Sequence, residues 1–498
     1  MYKHLVCLLA AALAAGGCKI EASQGRLHAH VLSRIGYGPD AWTRARIEAL
    51  GVPGYVEEQL APETIDDSAL EDRLAAYPSL SMSMAELYLY YRDPDGLLGE
   101  AHRPRKELMS AKVLRATYSR RQLEAALLDF WFNHFNVNAA SGVAKRGVVP
   151  YERDAIRPHV LGKFGDMLLA VAKHPAMLDY LDNARSFKDG FKLHGMTLGL
   201  NENFARELME LHTLGVDGPY DQTDVIEVAR ALTGWTVDYD WAGDGFAFLA
   251  AGHDDQPKTV LDDLEFPAGG GVEEGEAIVA YLAVHPKTAE RLCGRLAARF
   301  VSESPPGGLV ESCAATWRST DGDLREVMRS LLHSPYFEGE GGAPPADFRA
   351  KAKRPLDFMA SLFRATGTDL AFGGDLTVQT VWNKMGVWGE ALYQTLDPTG
   401  LPEDSAAWAG AGPLLDRLNY MASFVQGAQL YGVLWNVSGG TSAEIVDALE
   451  AQLVLGGLGD GTRADLVAFT DALAGKPDAE RVAYTAAMVL SAPEFGKK

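Results

Sequence analysis

Positive charge is scarce in this sequence. Its 498 residues include 46 lysines and arginines against 67 aspartates and glutamates, which gives a formal net charge of −21. Nucleic acids are bound largely through their phosphates by lysine and arginine, so we expect no nucleic-acid partner. The same deficit argues against docking to anionic lipid headgroups through a basic surface.

Three common catalytic signatures are also missing. The sequence contains no HExxH motif, no GxxxxGK[ST] phosphate loop and no GxSxG nucleophile elbow. Each of these motifs places a metal, a phosphate or a serine in a defined local geometry. Their absence disfavours HExxH zinc proteases, P-loop enzymes and serine hydrolases of the elbow type.

Long apolar runs are absent except at the N-terminus. Residues 5–15 are apolar, but a membrane-spanning helix needs about 20 such residues. A short positive start precedes the run, and small residues followed by Cys18 come after it, as in a bacterial lipoprotein signal. We predict a signal peptide over 1–17 and a lipid-anchored mature N-terminus at Cys18. A larger aliphatic residue is usual where Ala15 stands, so ordinary signal cleavage beside an incidental cysteine is the alternative.

This signal predicts an extracytoplasmic, membrane-anchored lipoprotein of the periplasm or outer membrane. Lys19, which follows the anchor cysteine, is not the acidic residue that often retains lipoproteins at the inner membrane. The outer membrane is therefore favoured.

Cysteine is rare, with four residues in all. Cys7 lies in the predicted signal, and Cys18 is the candidate anchor. Cys293 and Cys313 lie in two helical segments that a proline-containing turn over 302–306 would fold into a hairpin. A disulfide between them would suit an oxidising compartment, and two buried free thiols are the alternative. Neither lies in a CxxC motif, so zinc is not expected there.

Helical periodicity dominates the rest of the chain, because apolar residues recur three and four positions apart. We predict a mainly α fold, a compact many-helix body with a small β or irregular insertion around 235–262, where short alternating segments occur. We place an N-terminal helical layer at 25–265 and a C-terminal layer at 275–498, packed as one unit.

Four segments carry a family resemblance. Residues 201–236 read NENFARELMELHTLGVDGPYDQTDVIEVARALTGWT, residues 130–135 read FWFNHF, residues 176–183 read AMLDYLDN, and residues 34–38 read RIGYG. These blocks resemble the bacterial family known as domain of unknown function 1800, and the resemblance covers nearly all of the mature chain. One departure is Asp221, where family members commonly have threonine.

The resemblance implies a bacterial, often exported protein without a settled activity. Genes of this family often neighbour those of an exported family that resembles sulfatases and alkaline phosphatases. A protein of that class is therefore an expected partner, in addition to the membrane reached through the lipid anchor.

The segment 201–214 contains the strongest candidate site. On a helical wheel its acidic residues share one side with Arg206, which lies one turn from both Glu202 and Glu210. Carboxylates gathered in this way can hold one proton for general acid catalysis, or they can bind a divalent metal. A solvated face with ordinary ion pairs is the alternative. The candidate catalytic residues are Glu207, Glu210, Arg206 and His134, and the candidate substrate-binding residues are Glu202, Asn203, Asn133 and Arg230.

Two histidines add further candidates. His134 lies on an apolar helix face, where an unpaired polar group would cost about 1–3 kcal/mol, so it must be hydrogen-bonded or ligated. It is either a satisfied core histidine or a base or ligand facing 201–214. His253 and Asp254 lie in the irregular stretch and are candidate metal ligands, with a simple loop turn as the alternative.

Two main functions remain open, besides a narrower one, a metal-binding helical protein without known chemistry. The first is an envelope enzyme, a hydrolase or lyase that is metal-assisted or metal-free and acts on a glycan or other polymer. The second is a non-catalytic envelope lipoprotein that serves as a scaffold or partner of another exported protein. The second predicts an exposed apolar patch, for which Trp382, Trp388 and Trp408 are candidates, although core packing is the favoured interpretation of these tryptophans.

Overall fold

The computed structural model describes residues 23–91, 100–241, 243–339, 343–370 and 377–498. The predicted signal peptide and Cys18 lie outside the described residues. Among the described helices, none has the length and apolar character needed to cross a bilayer.

The fold is mainly α-helical, as predicted. The helices of the first half are α1 (23–34), α2 (Ala41–Leu60), α3 (Ser68–Leu74), α4 (Met84–Tyr90), α5 (Arg103–Tyr118), α6 (Gln122–His134), α7 (Ala144–Pro150), α8 (Phe164–Lys173), α9 (Pro175–Tyr180), α10 (Asn203–Glu207) and α11 (Gln222–Ala231). Those of the second half are α12 (Val272–Val284), α13 (Pro286–Phe300), α14 (Gly307–Ser319), α15 (Leu324–Leu332), α16 (Pro335–Glu338), α17 (Pro355–Thr366), α18 (Val378–Val387), α19 (Ala411–Gln426), α20 (Ser442–Leu453), α21 (Asp460–Asp471) and α22 (Asp478–Leu490).

Three antiparallel strand pairs interrupt the helices. Strand β3 (Trp235–Val237) pairs with β4 (Phe246–Phe248), and β5 (Lys258–Val260) pairs with β6 (Leu264–Phe266). The predicted insertion is therefore present and extends a few residues further. The sequence pattern missed a third hairpin, β1 (Phe191–Leu193) with β2 (Met196–Leu198).

Asp221, the departure from the family pattern, is the N-cap of α11. Its carboxylate accepts hydrogen bonds from the backbone N–H of Thr223 and Asp224, at 2.6 and 3.2 Å. Asp224 in turn accepts from the backbone N–H of Asp221 at 2.9 Å, which completes a capping box. Aspartate and threonine both cap helices well, so the substitution keeps the helix start.

A single hydrophobic core draws on both halves of the chain. Helix α12 packs on α8, and α17 packs on α5, so the predicted N-terminal and C-terminal layers lie against each other. The boundary between the layers stays a prediction.

Cys293 of α13 and Cys313 of α14 form a disulfide, with their Cα atoms 5.8 Å apart. Both side chains are fully buried in the helical hairpin.

Reduction of this disulfide should lower the free energy of unfolding by about 3 kcal/mol, the chain-entropy value for a loop of this length. Urea unfolding with and without reductant measures the difference. In the variant with alanine at both Cys293 and Cys313, the unfolding midpoint should be the same with and without reductant. Equal midpoints for the oxidised and reduced wild type would contradict the prediction.

A group of charged side chains lies inside the protein, and we call it the buried ion cluster. Its members come from α5, α6, α13 and α17, from the segments before α17 and after α18, and from the end of the chain. They are Lys112, Asp129, Arg299, Lys351, Arg354, Asp357, Glu390, Glu403 and Lys498.

Asp129 is the hub of the buried ion cluster. Its carboxylate contacts Lys112 at 2.8 Å, Arg299 at 3.2 Å and Arg354. Burial alone would raise the pKa of Asp129, but the three surrounding positive charges outweigh it and hold the pKa well below its usual range. Asp129 is therefore an ionised anchor between helices that are distant in sequence.

Candidate functional site

Helix α10 does not continue as a regular α-helix. After Glu207 the backbone widens into a π turn over Leu208–His212, and the hydroxyl of Thr213 donates to the carbonyl oxygen of Leu208 at 2.7 Å. Turns of this kind occur often at functional sites. The widened turn buries Leu208 and Met209 and leaves Glu207 and Glu210 half-buried at the surface.

Arg206 contacts the two carboxylates that its spacing indicates. It lies 3.0 Å from Glu202 and 3.7 Å from Glu210. Gln222 closes the arrangement, since it accepts from Arg206 at 2.9 Å and donates to Glu202 at 2.7 Å. These side chains are a third or so exposed, so the ion pairs contribute little stability and leave their charges accessible.

Glu207 differs from its neighbours. Its side-chain carboxyl makes no hydrogen bond or ion pair with the described residues. Partial burial, together with the negative charges of Glu210 and Asp397, raises the pKa of its carboxyl. A carboxyl of this kind holds a proton more readily than a free glutamate does.

Asp397 is a site residue that the sequence analysis missed. It accepts hydrogen bonds from the backbone N–H and the hydroxyl of Thr399, at 2.9 and 2.7 Å, which lower the pKa of Asp397. The site thus contains two neighbouring carboxyl groups whose pKa values are shifted in opposite directions, Glu207 upwards and Asp397 downwards. Such a pair suits an acid and a base.

Residues 395–401, which we call the site loop, are held by two amide side chains of the 130–138 region. Asn133 donates to the carbonyl oxygen of Leu401 at 2.8 Å and accepts from its N–H at 2.7 Å. Asn136 donates to the carbonyl oxygens of Thr395 and Asp397, at 3.1 and 2.8 Å. The predicted substrate-binding role of Asn133 is untested, but its amide is already occupied in positioning the loop.

Gly400 allows this close approach. Its φ is +76°, and a Cβ atom there would lie 2.3 Å from the carbonyl oxygen of Asn133. Only glycine fits such a position without strain.

His134 is enclosed and fully hydrogen-bonded. Its Nε2 donates to the carbonyl oxygen of His212 at 3.1 Å, and its Nδ1 accepts from Arg295 at 2.5 Å. Burial, reinforced by the charges of Arg295 and Arg291, lowers the pKa of His134 well below its usual range. The ring is therefore neutral and faces the π turn, as the sequence suggested, but its contacts favour a positioning role.

The remaining candidates form a second cluster around the C-terminal end of α11. Arg230 contacts Asp254 at 2.8 Å and Glu227 at 2.7 Å. His253 donates from Nδ1 to the carbonyl oxygen of Thr233 at 2.8 Å. The structure thus separates Arg230, His253 and Asp254 from the Glu207 carboxyl.

Two further observations complete the placement of the predicted residues. Asn203 donates to the carbonyl oxygen of Leu181 at 3.3 Å, at the start of α10. Across the described ranges, no three histidine, cysteine, aspartate or glutamate side chains are grouped closely enough to hold a metal ion.

The site thus combines Glu207 and Glu210, around the start of a π turn, with Asp397 on a loop that Asn133 and Asn136 hold in place. The chain belongs to the family described as protein of unknown function, DUF1800, whose model matches residues 30–496. The match includes every site residue from Asn133 to Asp397. No curated protein and no solved structure matches the chain significantly.

Proposed function

We propose that the protein is an acid–base enzyme of the bacterial cell envelope that cleaves a glycan or similar polymer. The observation that carries the proposal is the half-buried, unpaired carboxyl of Glu207 beside the ionised Asp397. Paired carboxyl groups with opposite pKa shifts are the usual means of cleaving glycosidic bonds.

In this proposal Glu207 is protonated and gives its proton to the leaving oxygen as the polymer bond breaks. Asp397 or Glu210 is the base. In hydrolysis the base takes a proton from water while the water oxygen bonds to the carbon. In elimination the base takes a proton from the carbon next to the one that loses the leaving oxygen, and a carbon–carbon double bond forms. Arg206, 3.7 Å from Glu210, holds that side chain in place.

The test is cleavage of a polymer panel by the purified protein. The panel comprises purified peptidoglycan and neutral and acidic polysaccharides. New reducing ends without ultraviolet absorbance indicate hydrolysis, and reducing ends with the absorbance of an unsaturated product indicate elimination. A Glu207→Gln protein supplies the background rate. Equal rates for the wild type and Glu207→Gln on every polymer would refute the proposal.

The same proteins test whether a divalent metal takes part. Elemental analysis after purification without chelator measures the metal content of the wild type and of Glu207→Gln. A stoichiometric metal that is lost in the variant would assign metal-assisted chemistry to the carboxylates. Equal content in both proteins would place any metal elsewhere.

We also propose that the protein is exported and anchored through Cys18. The support is the order of charged, apolar and small residues before Cys18, together with the disulfide between Cys293 and Cys313, since disulfides persist in oxidising compartments.

Replacement of Cys18 by serine should move the protein from the membrane fraction to the soluble fraction, because a lipidated cysteine is the proposed anchor. Fractionation and radiolabelled fatty acid incorporation measure the change. Cys7→Ser, in the predicted signal, is the matched control and should stay in the membrane fraction. Membrane association that survives Cys18→Ser would exclude this anchor.

A second candidate function, a scaffold for another exported protein, rests on exposed leucines of α19. Leu414, Leu415 and Leu418 are 45%, 60% and 46% exposed. Leu414 and Leu418 border a cavity of about 390 Å³, and clustered apolar exposure of this kind often marks an interface. The proposed partner is an exported protein of the sulfatase- or phosphatase-like class.

The tryptophans considered for that patch are instead buried, at 7% for Trp382, 2% for Trp388 and 6% for Trp408. Co-purification of such a partner with the wild type, and its loss with Leu415→Asp, would support the scaffold. The exposed Leu434→Asp is the control, and equal recovery with all three proteins would exclude this surface.

A further inference from the structure

Helix α13 presents two arginines, one turn apart, to the π turn. Arg291 donates to the carbonyl oxygens of Leu211 and Thr213, at 2.7 and 3.3 Å. Arg295 donates to Nδ1 of His134 at 2.5 Å. Both arginines are thus fixed in place by neutral acceptors.

Neither arginine has a carboxylate within 4.0 Å in the described part of the chain. Arg299, one turn further along the same helix, contacts Asp129 at 3.2 Å and Glu403 at 3.3 Å. The positive charges of Arg291 and Arg295 are therefore left uncompensated in a protein whose net charge is −21.

The free guanidinium nitrogens of the two arginines are accessible. They make no hydrogen bond to the described residues, and they are absent from the polar atoms that are enclosed without a partner. Both side chains are half-buried, and we call the part of them that meets solvent the positive surface.

This arrangement is unfavourable without a bound anion. Burial and the charge of Arg295 together lower the pKa of Arg291 to about 10. Like charges one turn apart on a helix repel each other. Glu403 acts on Arg295 only from beyond ion-pair distance, and the facing side chains of His134 and His212 are neutral.

The positive surface adjoins the carboxylates. The carbonyl oxygens that Arg291 binds, those of Leu211 and Thr213, flank the end of the π turn that carries Glu210. Tyr220 lies close enough to both Glu210 and Arg291 for their charges to act on its hydroxyl.

We infer that Arg291 and Arg295 form a binding subsite for an oxyanion, so that the polymer cleaved at Glu207 carries carboxylate, phosphate or sulfate groups. The catalytic part of this inference rests on the proposed function, whereas anion binding does not. Arginine binds such groups through paired, charge-assisted hydrogen bonds.

A carboxylate held here would also change the chemistry. Neutralising the charge of a carboxylate makes the adjacent C–H group more acidic, because the electron pair released on deprotonation can move onto the carboxylate oxygens. Proton removal by a neighbouring base then becomes the easier first step, and elimination is favoured over hydrolysis. A phosphate or sulfate gives no such assistance.

The test is calorimetric titration of the full-length protein with inorganic phosphate, sulfate and acetate at constant ionic strength set with chloride. The variants are Arg291→Gln and Arg295→Gln, and Arg295→Lys retains the charge if Arg295→Gln fails to fold. The matched control is Arg325→Gln, since the half-buried Arg325 pairs with Glu63 at 2.9 Å. We expect one anion to bind the wild type and the control equally, and each glutamine variant at least about tenfold more weakly.

The outcomes separate the two proposals. Binding of acetate alone identifies a carboxylate, and binding of phosphate or sulfate identifies a tetrahedral group. Equal affinity in the wild type and in both glutamine variants, or no binding of any anion, overturns the subsite. Arginine-dependent anion binding without cleavage of any polymer would support the subsite and contradict the proposed enzyme. Polymer cleavage that depends on Glu207 but on neither arginine would support the enzyme and contradict the subsite.

Discussion

Replacement of Asp129 by alanine should lower the free energy of unfolding by about 3–5 kcal/mol, the usual cost of removing one partner from a buried ion pair. Asp129 is 3% exposed and contacts Lys112, Arg299 and Arg354. Its loss leaves three positive charges next to one another without their shared carboxylate. Urea unfolding followed by circular dichroism measures the effect.

The matched control is Asp369→Ala. Asp369 also pairs with an arginine, Arg73 at 2.7 Å, but its side chain is 64% exposed. A solvent-exposed pair contributes about 0–1 kcal/mol, so this variant should unfold close to the wild type. Equal destabilisation by the two substitutions would show that Asp129 is an ordinary ion-pair residue.

The buried ion cluster also sets the acid stability. Charges around Asp129 and Asp357 hold their pKa values well below the usual range despite burial, and in the same way lower the pKa of Glu403 to about 2. Their stabilisation is therefore complete above the unfolded-state pKa of about 4 and is lost as the pH falls below it. The wild type should lose stability steeply below about pH 4, and Asp129→Asn should show a shallower dependence.

The second large effect is expected on turnover. Glu207→Gln should lower kcat by about 10²–10⁴-fold, the usual contribution of a general acid. The protein should stay folded, because Glu207 makes no hydrogen bond or ion pair to the described residues. The control is Glu265→Gln, on the exposed face of β6, which should retain full activity.

The pH profile provides a separate check on the roles. Glu207 must be protonated, so activity should fall as the pH rises through its raised pKa. If Asp397 is the base, it must be ionised, so activity should fall as the pH drops through its lowered pKa. The result is a bell with an acidic optimum, and Asp397→Asn should lose most of the activity and leave a residual rate without the acid limb. An optimum at alkaline pH would exclude these assignments.

The helical fold could be predicted because its signal is local. Apolar spacing and capping residues such as Asp221 act within a few positions, so they can be recognised without the tertiary structure. The contacts of Arg206 with Glu202 and Glu210 follow from the same one-turn spacing. The π turn could not be predicted, because its widening depends on tertiary contacts such as those from Arg291.

The part of the site that Asp397 contributes has no local sequence signal. Asp397 lies far along the chain from Glu207, in a DPTG turn that looks like an ordinary surface loop. It becomes a site residue only through the amide side chains of Asn133 and Asn136, whose targets are backbone atoms with no sequence signal of their own. The buried ion cluster was missed for the same reason, since pairs such as Lys498 with Asp357 join distant segments.

Asn133 and Asn136 hold the site loop in a way that leaves relatives of this protein free to vary its side chains. Both amides bond to backbone groups of residues 395–401, which every amino acid except proline offers alike. Within the loop, Gly400 is fixed by its contact with Asn133 and Asp397 by its hydrogen bonds from Thr399, whereas the side chain of Leu396 is 79% exposed. New specificities can therefore arise by changing the loop's outward side chains one at a time, while the frame that presents them stays unchanged.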